Sequence, residues 1–169
     1  MKYYINIMKK ICLLLCLIVA AGCSQAQTIP ANSKIAPYHI LTTDSVYVTP
    51  ADLKKNKPVM VIYFAPDCSH CQHLMYDLKP QLDKLKGIQI VMITFVNQLK
   101  AIQVFQRDFD LAKYHNIIIG TEGYTYVVQR YYHVQTTPYI AIYDKNGKLS
   151  QAYEKVPKIP VLMDAIKKV

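Results

Sequence analysis

Val59-Met60-Val61-Ile62-Tyr63-Phe64-Ala65-Pro66-Asp67-Cys68-Ser69-His70-Cys71 changes its hydrophobic period halfway along. Its first part is an unbroken apolar run, the pattern of a strand buried on both faces. Ala65-Pro66-Asp67 interrupts it. Beyond, apolar residues recur at Leu74, Met75, Leu78, Leu82 and Leu85, the spacing of one helix face. A buried strand passes into a helix, and two cysteines stand at the junction. Cys68 is expected at the helix N-terminus and Cys71 one turn further in.

That placement has chemical content. A thiolate, not a thiol, attacks disulfides. Free N–H groups and the positive end of the helix dipole favour a negative sulfur at Cys68. At this spacing the two sulfurs can close a small reversible disulfide. His70, as imidazolium, would add to the stabilisation of the Cys68 thiolate, and Asp67 would oppose it.

Outward from this centre, the chain of 169 residues has room for one domain and a leader. Hydrophobic residues make up 52% and charged residues 18%, which excludes a disordered chain. The formal charge is +9, and the leader lysines Lys2, Lys9 and Lys10 leave +6 from Cys23 onward. Basic residues are scattered, as at Lys54-Lys55 and Lys167-Lys168, which speaks for solvated faces and against a nucleic-acid site.

Residues 1–10 form a basic segment and residues 11–20 an apolar one, followed by Ala21-Gly22-Cys23. This is the layout of a secretory signal, too short to span a bilayer. The cysteine directly after Gly22 resembles the cleavage site of bacterial lipoproteins. The resemblance implies a signal peptide at 1–22 and a lipid on Cys23. The usual leucine three places earlier is Ala20, and an ordinary signal peptide cut near Ala26 is the alternative. Cys12 and Cys16 would leave with the leader. Of the five cysteines, a lipidated Cys23 would leave only Cys68 and Cys71 as thiols, which favours a redox pair over a structural staple. Residues 23–36 are polar and lack an apolar period, so they read as a flexible tether.

In the body of the chain, 38–41 and 46–48 are short strand candidates about a turn at 42–45. Thr49-Pro50-Ala51-Asp52 has the signature of a helix start. Pro80 should kink or end the first helix near Lys79. Residues 88–95 read as a second buried strand and 99–113 as a helix. Residues 117–119 form a short strand closed by Gly120. The Tyr-rich stretch 124–132 is a short helix or irregular. Residues 139–143 and 148–153 pair about the Asn-Gly turn 144–147, and 157–168 closes the chain as a helix.

The segment 63–71 resembles the active-site motif of thioredoxin-fold proteins, and in particular the TlpA-like thiol–disulfide oxidoreductases of bacterial envelopes. A second motif, Thr136-Thr137-Pro138 opening a strand, strengthens the likeness. The resemblance covers residues 37–169. It implies an α/β fold, the thioredoxin fold: a mixed central sheet flanked by helices on both faces, here with an added N-terminal β-hairpin. It further implies that Cys68 is the nucleophile and Cys71 the resolving thiol, that Pro138 is cis beside them, and that His70 tunes the pair. Thr137, Pro66 and Ser69 would meet the substrate chain. No cofactor and no metal are implied. The expected partners are disulfide- or dithiol-containing envelope proteins, met by a monomer held to a membrane through Cys23.

The chain departs from the family at three places. The acid common six residues before the first cysteine is Ile62, the one three residues after the second is Leu74, and the usual tryptophan is Asp67. Proton transfer at Cys71 would then fall to water, His73 or another group. The resemblance points to a reductant, whereas a histidine between the cysteines pulls toward an oxidant. Two other readings remain: Cu(I) held by Cys68, Cys71 and a histidine such as His73, and a binding module without turnover.

Overall fold

The computed structural model describes residues 33–169. The expected signal peptide, Cys23 and the tether up to residue 32 lie outside the described residues. The chain forms strands β1 (Ile40–Thr42), β2 (Tyr47–Val48), β3 (Val59–Phe64), β4 (Gln89–Thr94), β5 (Ile117–Thr121), β6 (Tyr139–Tyr143) and β7 (Leu149–Tyr153). Its α-helices are α1 (Ser69–Leu78), α2 (Leu99–Asp108), α3 (Val127–Tyr131) and α4 (Ile159–Ile166). The strands make one mixed sheet in the order β2-β1-β5-β4-β3-β6-β7. β3 is central: it runs parallel to β4 and antiparallel to β6, and all its residues are buried. That burial is why its sequence is a continuous apolar run and not an alternation.

The alternation is still present, in which face each residue serves. Met60, Ile62 and Phe64 face one core with Cys71, Leu74, Leu78, Phe105 and Leu162, drawn from α1, α2 and α4. Val59, Val61 and Tyr63 face a second core with Val128 of α3, Tyr132 just past its end, and Ala36 and Tyr38. Helices cover both faces, as expected. Much of the tyrosine excess is accounted for on the second face, where Tyr38, Tyr63, Tyr132, Tyr139 and Tyr143 are buried. Their hydroxyls need partners there. Tyr132 and Tyr143 lie 2.7 Å apart oxygen to oxygen, and the Tyr143 hydroxyl donates to the Lys34 carbonyl.

This arrangement also moves the domain boundary. Residues 33–36 were expected in the tether, yet Ala36 is fully buried and its N–H donates to the Tyr132 hydroxyl, while Leu149 N–H donates to the Ser33 carbonyl. The small side chain of Ala36 fits under the tyrosines, which ties this stretch down.

Pro80 acts as expected. α1 ends at Leu78 and the chain continues as a 3₁₀ helix, Lys79–Leu85, which still buries Leu82 and Leu85. α2 stops at Asp108, short of the expected 113: Phe109 turns into the core, Asp110 takes a left-handed conformation, and Leu111–Lys113 is a separate 3₁₀ turn. The helix start at Thr49 is real, with a capping box to Asp52, but it opens only the 3₁₀ turn Pro50–Asp52. Gly120 lies inside β5 instead of closing it. A Cβ there would stand 2.6 Å from the Leu41 carbonyl oxygen, so only glycine lets β1 lie against β5. The expected N-terminal hairpin, β1 with β2, joins the sheet at that contact.

Candidate active site

β3 delivers the chain to one end of the sheet, and Ala65-Pro66-Asp67 turns it into α1. The turn is closed by Cys68 N–H donating to the Ala65 carbonyl at 3.1 Å. Gln72 Nε2 reaches back to donate to the Pro66 carbonyl at 2.9 Å. That brace was not anticipated, although a glutamine one turn into a helix after a proline turn is a fair signal for it.

Cys68 is the N-cap of α1, with extended backbone, and Cys71 is the third helical residue. Cys68 is partly exposed. Cys71 is 1% exposed and packs among Phe64, Leu74 and Met75 in the first core. Both are free thiols. The Thr137–Pro138 peptide is cis, as the motif led us to expect, and Pro138 is buried. Cys68 Sγ donates to the Thr137 carbonyl at 3.4 Å, which brings the second motif against the first.

The two sulfurs are driven apart in acidity. For Cys68, partial burial pushes the pKa up. The Thr137 side chain, the Cys71 N–H and thiol, and the His70 N–H together outweigh it and bring the pKa below the ordinary thiol value. These groups favour the anion by hydrogen bonding to it. The Cys71 thiol is pushed up to about 12, first by burial and also because it donates to the Cys68 sulfur.

Of the remaining expected site residues, Pro66, Ser69 and His70 flank the pair along the chain. His70 is exposed, and what it brings to Cys68 is its main-chain N–H. Ser69 is exposed, with its carbonyl 2.7 Å from His73 Nδ1, a bond along the helix. Pro66 is half-buried beside Cys68. Among the described residues no three His, Cys, Asp or Glu side chains cluster so as to hold a metal ion.

Glu122 escaped notice in the sequence. It is the buried carboxylate among the described residues, 4% exposed, just past the end of β5. Tyr63 O–H and Val128 N–H each donate to it at 2.8 Å. Its signal was an acid between a strand and a Tyr-rich segment. Tyr63 faces the second core and Cys71 the first, so the sheet separates this carboxylate from the buried thiol. Glu122 therefore does not replace the acids missing at Ile62 and Leu74.

The fold and site together define an α/β protein of the thioredoxin fold with a dithiol at the strand-to-helix junction. Residues 52–156 match the model of the thioredoxin-like domain family, and the chain belongs to that family. Among solved structures, it resembles a secreted Mycobacterium tuberculosis disulfide oxidoreductase homologous to E. coli DsbE, with 17% identity and a TM-score of 0.66, covering 79% of this chain and 96% of that one. It also resembles a thiol-disulfide oxidoreductase from Bacteroides fragilis, with 12% identity and a TM-score of 0.65, over 78% and 98% of the two chains. A peroxiredoxin-like protein from Aquifex aeolicus shares the fold at 12% identity and a TM-score of 0.68, over 85% and 89%. No curated protein matches the chain. At these identities the likeness is one of fold.

Proposed function

We propose that this domain is a thiol–disulfide oxidoreductase of the bacterial envelope, held to a membrane through lipid on Cys23. The observation that carries the chemistry is the divided acidity of the pair: an accessible Cys68 with its pKa lowered and a buried Cys71 with its pKa raised. The Cys68 thiolate attacks one sulfur of a partner disulfide, forms a mixed disulfide and releases the other sulfur as thiolate. Cys71 then gives up its proton and attacks Cys68 Sγ. The Cys68–Cys71 disulfide forms, the partner leaves as dithiol, and two electrons have passed to it. The reverse sequence oxidises a dithiol partner.

Thr137 and Pro138 border Cys68 and would lie along the partner's chain, with Pro66 and Ser69 on the other side. His70 would face the incoming partner. Among the described residues no buried acid lies on the Cys71 side of the sheet, so its proton passes to the leaving thiolate or to water.

The test is exchange itself. In a turnover assay with a disulfide peptide, Cys68→Ser should abolish activity, and Cys71→Ser should accumulate a mixed disulfide on Cys68 visible by mass spectrometry. Trapping through Cys71, or equal alkylation of both thiols at pH 7, would sink the assignment.

A further inference from the structure

The lysines that are scattered in sequence are gathered in space. Strand register puts Val59, Gln89, Ile117, Tyr143 and Leu149 at one end of the sheet. Cys68 follows Phe64, at the other end, roughly 20 Å away along β3. At the first end a cleft of about 330 Å³ opens between the segment before β3, the end of the 3₁₀ helix and the start of β5. Lys54, Lys57, Lys86 and Lys113 line it, with Asp52 as the acid among its lining residues. Lys145 and Lys148 stand exposed on the β6–β7 turn at the same end.

The acids nearby are already engaged. Asp52 accepts from the Thr49 N–H and hydroxyl, Asp83 pairs with Lys86 at 2.7 Å, and Asp144 accepts from the Asn146 and Lys148 N–H groups. Lys54, Lys57 and Lys113 enter no ion pair among the described residues. Two polar side chains of the cleft wall are likewise engaged. Gln89 bonds both the N–H and the carbonyl of Lys54, and Asn116 donates to the carbonyls of Leu85 and Ile88. Asp52 and Asp144 keep their charge while accepting these bonds, and the six lysines named outnumber the three acids, so this end carries an excess of positive charge.

A second feature says what should meet it. The N-terminal segment enters the domain at this same end, where Leu149 N–H donates to the Ser33 carbonyl. We propose that the lysine-rich end of the domain is a docking surface for an anionic lipid bilayer, presented so that Cys68 faces away from it. Each lysine brought to an anionic surface strengthens attraction about fivefold, and the effect is screened by salt. The proposal holds whether or not Cys23 is lipidated and whether or not the thiols turn over.

The experiment is flotation of the full chain on phosphatidylcholine vesicles with and without 30% phosphatidylglycerol. Two variants with equal loss of charge are compared: Lys54→Gln/Lys57→Gln/Lys113→Gln at the basic end and Lys100→Gln/Lys155→Gln/Lys158→Gln toward the thiol end. Both keep the whole leader, so the difference between them reads the basic end alone. The expected result is a loss of at least tenfold in binding to phosphatidylglycerol vesicles for the first variant, less than twofold for the second, and release of the wild type in 0.5 M NaCl. Equal losses in both variants would mean that only net charge matters and would overturn the proposal. So would binding unaffected by either variant, or displacement of the protein by millimolar inorganic phosphate at constant ionic strength, which would assign the cleft to a small anion.

Discussion

Cys71 keeps its proton because its sulfur has left water, while Cys68 remains at the surface among donors that favour its anion. This has a consequence for stability. An unfolded thiol ionises near its ordinary value of 9.0, whereas folded Cys71 does so at about 12. Between those values the folded state holds a proton that the unfolded state has lost, so stability falls as pH rises, by ~1.4 kcal/mol per pH unit at most. Cys68 has the opposite sign: its contribution is present above the unfolded value and is lost as pH falls through its lowered one. Urea titrations at pH 8.5 and 10 should show the wild type losing about 1 kcal/mol more than Cys71→Ala over that interval. The window stops at pH 10 because the buried Tyr63 and Tyr143 also have raised pKa values and add the same sign above it. Parallel profiles would mean that Cys71 is not held as a thiol. The positions of both cysteines were legible in the sequence because a change of hydrophobic period marks a strand-to-helix junction. The meeting of Cys68 Sγ with the Thr137 carbonyl was not, because it joins positions 69 residues apart.

α3 shows why some elements could be read from sequence and others could not. β3, β4 and α1 carry their burial in an unbroken run or a clear period. α3 has only Val127–Tyr131, and its N-cap, Tyr126, sits in the left-handed region with no side-chain cap of its own. Its cap comes from Glu122, whose carboxylate takes the Val128 N–H together with the Tyr63 hydroxyl. Local pattern cannot show such a cap. α2 was over-extended for a related reason: Phe109 continues the apolar period after the backbone has turned. Glu122→Ala should leave a buried hydroxyl and a buried N–H without their acceptor, costing about 2–4 kcal/mol. Glu122→Gln keeps one carbonyl acceptor and should cost roughly half as much. Chemical denaturation distinguishes them, and equal stability of all three proteins would show that the carboxylate does not hold α3.

At the scale of the whole molecule, the order of strands and helices was legible, and so was the mixed sheet. The gathering of lysines at one end was not, because it depends on which strand ends share a side of the sheet. The attachment of the N-terminal hairpin was also hidden, since it rests on Gly120, where the sequence suggested only the end of a strand. Gly120→Ala would place a methyl group 2.6 Å from the Leu41 carbonyl oxygen, so β1 must move off β5. The thiol pair follows β3, two strands away from β5 in the strand order, so Cys68 should alkylate at its normal rate. What changes is the sheet margin. β1 and β2 are only three and two residues long, a poor template for another chain. Without them β5 offers a longer row of unpaired N–H and carbonyl groups, and bare strand edges recruit other strands. Sedimentation velocity over a concentration series should therefore show the variant self-associating while the wild type does not. In this reading, the smallest side chain in the sheet acts as a guard against aggregation, and damage at Gly120 would remove the protein from solution with its redox chemistry still intact.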